Sequence, residues 1–128
     1  MNLNLKGKNV LITGSSRGIG FGIAKQFAAE NCNIVLNGRA KNSQKALDSI
    51  RGSHYVAGDV STEEGAKNVV NEAVKILGSL DILVCNVGSG DSVKPGHESF
   101  LEWHKSFAVN FFSTTCTVEA ATSYLEKA

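Results

Sequence analysis

The chain has 128 residues, enough for one domain that buries roughly two thirds of its unfolded surface without staples. Hydrophobic residues make up 42% and charged residues 20%, a globular balance and not a disordered one. Thirteen basic residues against twelve acidic ones give a net charge of +1, so nothing in the charge favours nucleic acid or an anionic membrane as a partner.

The first residues, Met-Asn-Leu-Asn-Leu-Lys, have no long apolar stretch and no small-residue cleavage site, so a signal peptide is not expected. Asn9 to Thr13 is a short apolar run and reads as a buried strand. From Gly18 the period changes to that of a helix, with Ile19, Ile23 and Phe27, joined by Ala24 and Ala28, as one stripe. Asn33 to Leu36 is a second strand, and Asn42 to Ile50 a modest helix capped by Asn42 or Ser43. His54 to Ala57 is a third, short strand. Ser61-Thr-Glu-Glu64 has the form of a capping box. Ala66, Val69, Val70, Ala73, Val74 and Leu77 then mark a helix face that Gly78 stops. Asp81 to Cys85 is a fourth strand, and Asn86 to Gly96 a glycine-rich loop. A long helical segment with room for a break runs from near Glu98 to the C-terminus.

Strands separated by helices force parallel pairing with right-handed crossovers. The expected fold is α/β: a Rossmann-type doubly wound parallel sheet, incomplete, with about four strands alternating with helices. Residues 1–128 read as a single dinucleotide-binding domain. No apolar run is long enough to span a bilayer.

The most informative segment is Thr13-Gly-Ser-Ser-Arg-Gly-Ile-Gly20, between the first strand and the first helix. Gly14 allows a tight exit from the strand. Gly18 lets the backbone approach a pyrophosphate, and Gly20 lets the helix pack close to the sheet. The free N–H groups and the positive end of the helix would face the phosphates. No Gly-Lys-Ser/Thr follows, so this is not a Walker loop.

The spacing G-x-x-x-G-x-G with Thr in front resembles the short-chain dehydrogenase/reductase family. Asp59-Val60 resembles that family's Asp-Val pair after the third strand. Asp81 to Gly88 resembles its fourth strand and Asn-Asn-Ala-Gly motif, with Cys85 for the first Asn and Val87 for Ala. Asn110 resembles the Asn of its catalytic tetrad. The resemblance spans essentially the whole chain and corresponds to the first half of a typical member. It implies that Gly14, Ser16, Arg17, Gly18, Ile19, Gly20, Arg39, Asp59, Val60, Asn86 and Gly88 bind the cofactor. It implies that Asn110 holds a water through its backbone carbonyl. Asp59 would contact the adenine with Val60 beside it, and Val87 would stand near the nicotinamide ribose.

An acidic residue at the end of the second strand would bind ribose hydroxyls of NAD, whereas a cation would pair with the 2′-phosphate of NADP. Gly38 stands at that place, followed by Arg39, and Arg17 is a second cation in the glycine loop. Two guanidinium groups suit a phosphate, so NADP(H) is expected over NAD(H).

The family's hydride chemistry uses a Ser, a Tyr and a Lys four residues after the Tyr. The chain has two tyrosines. Tyr55 has Asp59 four residues on, and Tyr124 has Ala128 there with Lys127 one position early. Neither fits, and the family's triad would lie beyond residue 128. The expected function is the cofactor-binding part of an NADP(H)-dependent oxidoreductase that moves hydride between nicotinamide and a small carbonyl or alcohol. The alternatives are a non-catalytic dinucleotide-binding module or an inactive fragment.

Three cysteines, Cys32, Cys85 and Cys116, have no metal or C-x-x-C spacing and read as buried free thiols of a reducing, cytoplasmic setting. His54, His97 and His104 read as surface groups and not metal ligands. Trp103, Phe107 and Phe111 read as core or as the interface of a homo-oligomer. The loop from Gly88 to Gly96 reads equally as part of a substrate site or as a solvated connection.

Overall fold

The computed structural model describes residues 1–128. The elements run β1 (Asn9–Ile12), α1 (Gly18–Ala29), β2 (Asn33–Gly38), α2 (Gln44–Ser49), β3 (His54–Ala57), α3 (Glu63–Leu77) and β4 (Ile82–Val84). α4 (Phe100–Phe107), a π-helical turn (Ala108–Phe112) and α5 (Ser113–Glu126) complete the chain. All strand pairs are parallel and the sheet order is β3-β2-β1-β4. The expected doubly wound α/β architecture is therefore present with four strands.

Successive strand residues point to opposite faces, and helices cover both. Val10, Ile12, Ile34 and Leu36 pack with Ala24 of α1 and with Ala46 and Ile50 at α2. Leu11, Val35 and Val56 pack on the other face with Val69, Val70 and Ala73 of α3 and Ala121 of α5. β1 and residues 34–38 of β2 are buried throughout, which is why Val10–Ile12 and Ile34–Leu36 read as unbroken apolar runs.

Local signals shift in three places. Ser61 is not the cap of α3, because Asp59 Oδ1 accepts from both the Ser61 N–H and its hydroxyl. Thr62 caps instead, its Oγ1 accepting from Gly65 N at 3.0 Å. At the other end Gly78 closes α3 in the left-handed region, at φ +89°. Ser43 precedes α2 but makes no capping bond, and that helix is only six residues long. Ile19 is 79% exposed, so the buried stripe of α1 begins at Gly20 and Ala24 and not at Ile19.

The expected break in the last helix is the π turn at Ala108–Phe112. Such single-turn insertions often mark functional positions. The turn carries Asn110. No helix is long and apolar enough to cross a membrane.

Candidate functional site

A cleft of about 880 Å³ lies at the carboxyl ends of the strands. Its walls come from the segments that follow β1, β2, β3 and β4, closed by α4 and the π turn. β2 and β4 flank β1, so the crossovers leave β1 in opposite directions there, and open α/β sheets bind ligands at such a point.

The glycine loop forms one wall. Gly14 (φ +58°) and Gly18 (φ +64°) hold left-handed backbone that favours glycine. A Cβ on Gly14 would stand 3.0 Å from Val87 Cγ2. A Cβ on Gly20 would collide with the Gly14 carbonyl oxygen and with Asn86 Nδ2. A Cβ on Gly18 would meet nothing within 4 Å, and Gly18 lines the cleft, so its backbone stays open to a ligand.

α1 has no side-chain cap and no acidic residue in its first turn. α3 and α4 have both: Thr62 with Glu63 and Glu64, and Ser99 with Glu102. The N–H groups that begin α1 are thus left for an anion. Arg17, at the head of α1, and Arg39, just past β2, line the same cleft. A helix N-terminus and two guanidinium groups in one cleft fit a group carrying several phosphates.

Two asparagines hold this wall in place. Asn37, 1% exposed, accepts from Gly14 N at 3.1 Å and donates to the carbonyls of Val56 and Gly58 at 3.0 and 3.2 Å. Its own N–H donates to Ser15 Oγ, whose hydroxyl donates to the Ile12 carbonyl. Asn86 Nδ2 donates to the Gly14 carbonyl at 3.0 Å, and Asn86 N donates to Thr13 Oγ1 at 3.0 Å. The ends of β1, β2, β3 and β4 are tied together through these two side chains.

Of the expected cofactor residues, Gly14, Ser16, Arg17, Gly18, Arg39, Asp59, Val60, Asn86 and Gly88 line the cleft, together with Asn110. Ile19 and Gly20 do not; Ile19 points to solvent and Gly20 serves packing. One Asp59 oxygen is engaged by Ser61. Asn110 Oδ1 accepts from Ser89 N at 2.8 Å, and its Nδ2 donates to the Ser89 and Ser106 carbonyls. The side chain of Asn110 therefore anchors the start of the loop that follows β4.

Gly38 and Val87, both singled out from sequence, line the cleft as well, and it also includes residues that were not: Asn37, Ala40 and Gly58, and Glu102, Lys105, Ser106 and Val109 on the last helices. Positions 102, 105, 106 and 109 share one helical face, a spacing that was available to read. On other faces of the same segment Trp103, Phe107 and Phe111 are 58%, 51% and 54% exposed, so they are not core of this chain. Of the loop from Gly88 to Gly96, Gly88, Ser89 and Asp91 reach the cleft.

Neither tyrosine hydroxyl lines the cleft. Tyr55 donates to the Ala40 carbonyl at 2.7 Å, and burial pushes its pKa up. Tyr124 donates to Asn71 Oδ1 on α3. The three cysteines are free and half-buried, less covered than the sequence suggests. Burial pushes the Cys85 thiol pKa up. Burial first, then the charges of Glu30 and Asp81, do the same for Cys32. His54, His97 and His104 are exposed. No group of three His, Cys, Asp or Glu side chains is placed to hold a metal ion.

Comparison with known proteins matches this geometry. Residues 8–128 fit a family model described as short chain dehydrogenase. The chain is 34% identical to glucose 1-dehydrogenase 2 of Bacillus subtilis (strain 168), over 99% of this chain and 52% of that protein. L-sorbose reductase of Gluconobacter frateurii, solved with NADPH and L-sorbose, superposes with a TM-score of 0.92 at 31% identity, over 99% of this chain and 51% of that one. A short chain dehydrogenase of Burkholderia cenocepacia J2315, solved with NADP, gives 0.87 at 28% identity, over 94% and 52%. The chain thus spans about half the length of these relatives. Its fold, its glycine cleft and these matches together make it a member of the short chain dehydrogenase family.

Proposed function

We propose that residues 1–128 are the cofactor-holding part of an NADP(H)-dependent oxidoreductase acting on a small carbonyl or alcohol. The observation that carries this is the placement of Arg17 and Arg39 in the same cleft as the uncapped start of α1. In this reading the N–H groups of Gly18, Ile19 and Gly20 take the pyrophosphate, so Ile19 acts through its backbone and Gly20 through packing. Arg17, Arg39 and Ser16 take the 2′-phosphate. Asp59 and Val60 bound the adenine. Asn86, Val87 and Gly88 face the nicotinamide ribose, and the Asn110 backbone carbonyl holds a water. Bound NADPH supplies the hydride.

Supporting the cofactor class, two of the solved relatives above were solved with NADPH or NADP. The proton chemistry is not assigned to this segment's tyrosines. An unassisted phenol with a pKa of about 10 does not exchange a proton readily at neutral pH. Tyr55 is spent on Ala40 and Tyr124 on Asn71. Residues 1–128 therefore bind cofactor without turning it over. The outward aromatic face of α4 is assigned to contact between copies of the protein, and the protein to the cytoplasm.

The test combines equilibrium binding of NADPH with nicotinamide absorbance in the presence of small aldehydes and ketones. Saturable binding with no absorbance loss from residues 1–128 is expected. Turnover by this segment alone, or no binding, would contradict the reading.

A further inference from the structure

Position 38 is where an acidic side chain would select NAD, and here it is glycine for a packing reason as well as an electrostatic one. A Cβ on Gly38 would lie 2.8 Å from Tyr55 Oη and 3.0 Å from Ser16 Oγ. Neither obstacle is idle. The Tyr55 hydroxyl donates to the Ala40 carbonyl at 2.7 Å, across the turn that carries Arg39. The ring packs against the core between the sheet and α1 and α2. Ser16 stands in the glycine loop beside Arg17 and lines the cleft. The backbone at Gly38 is fixed too, its carbonyl accepting from Gly58 N at 2.9 Å. A side chain at 38 therefore has to displace the tyrosine hydroxyl, the serine or the strand end.

We propose that Tyr55 is a positioning residue for the 2′-phosphate pocket: its hydroxyl pins the Arg39 turn through Ala40 and, with Ser16, fills the space an acidic side chain at position 38 would need. This rests on the NADP(H) reading above. Tyr55 touches neither cofactor nor substrate; it acts through the Gly38–Ala40 backbone. At neutral pH the hydroxyl is protonated and able to donate, and the burial that raises its pKa extends this to higher pH. The arrangement makes cofactor choice a coupled property of positions 16, 38 and 55, so an acid at 38 is not sufficient to move the protein toward NADH.

The test measures dissociation constants for NADPH and NADH on the wild-type protein and on Tyr55→Phe, Gly38→Asp and the double variant, with melting temperature recorded for each. Tyr55→Phe is expected to lower the NADPH preference by about three- to tenfold, the size of one lost hydrogen bond, while NADH affinity holds. A merely structural role would move both cofactors together. Gly38→Asp alone is expected to lose NADPH without gaining NADH, and the double variant to gain NADH. If Tyr55→Phe does not fold, Gly38→Ala takes its place, expected to weaken NADPH more than NADH by crowding Tyr55 and Ser16.

An unchanged preference in folded Tyr55→Phe, a gain of NADH by Gly38→Asp alone, or no selective effect of Gly38→Ala would overturn the inference. If wild-type protein binds both cofactors equally, the NADP(H) reading itself fails and the inference falls with it. If wild type prefers NADPH and only the variants disappoint, the inference alone fails.

Discussion

Asn86 Nδ2 donates to the Gly14 carbonyl oxygen at 3.0 Å, across 72 positions of chain. This single bond joins the segment after β4 to the glycine loop after β1. It also explains why position 20 is glycine, since a Cβ there would enter the same space as that amide and that carbonyl. Gly20→Ala is therefore expected to destabilise the protein by about 1–3 kcal/mol through overpacking. Denaturant unfolding checks this, and a wild-type midpoint would contradict it. Gly18→Ala meets no neighbour, but Gly18 sits at φ +64°, so that variant tests backbone strain and access to the cleft.

Asn37 is expected to matter as much as the glycines. Asn37→Leu would remove the acceptor of Gly14 N and the donor to Val56 and Gly58 in a buried place. The cost is about 1–3 kcal/mol for the groups left unpaired, with loss of NADPH binding as the loop loosens. Calorimetric melting and a binding titration on the same sample separate the two effects.

The two cleft arginines should discriminate between cofactors. Arg17→Ala and Arg39→Ala are each expected to weaken NADPH by roughly tenfold or more, as for a charge-assisted hydrogen bond, and to leave NADH within about twofold. Raising salt should erode NADPH affinity more than NADH affinity, because exposed ion pairs are screened. Equal losses for both cofactors in either arginine variant would remove that residue from the 2′-phosphate pocket.

Capping gives a sharper contrast. Thr62→Ala is expected to cost about 1 kcal/mol, because Thr62 Oγ1 accepts from Gly65 N. Ser61→Ala removes a hydroxyl bonded to Asp59 and no helix cap, so it should cost less. A larger loss from Ser61→Ala in thermal melts would restore Ser61 as the cap.

Alkaline pH tests burial of the thiols. Folding raises the Cys85 pKa above its ordinary 9.0, so the native state holds its proton more tightly than the unfolded chain. Its stabilising contribution is full below pH 9.0 and is lost as pH rises from there through the native pKa. Cys32 and Tyr55 act in the same direction. Cys85→Ala should make the fall in stability above that pH shallower; a slope identical to wild type would contradict it.

What could be read from sequence was local or periodic. The glycine loop, the α3 stripe ended by Gly78 and the alternation of strands and helices each lie within one short window. The doubly wound sheet follows from their order. What could not be read depends on contacts between distant segments. Nothing near Asn37 announces that its amide serves β1 and β3 at once, although an asparagine in an apolar strand is a signal to look for buried partners. Ser61 looks like a cap until Asp59 takes its hydroxyl. Ile19 fits the helical period yet faces solvent, and Gly20 beside it makes the contact of the first turn, against Gly14 and Asn86. Gly38 is read for its missing charge, while the crowding by Tyr55 and Ser16 appears only in three dimensions.

The most direct measurement is a paired titration with NADPH and NADH at one ionic strength, followed by the fluorescence of Trp103, the only tryptophan in the chain, and confirmed by calorimetry. Saturable, one-to-one binding of both is expected, with NADPH tighter by roughly tenfold or more from its extra charged contacts. Equal affinities, or no saturable binding of either, would contradict it.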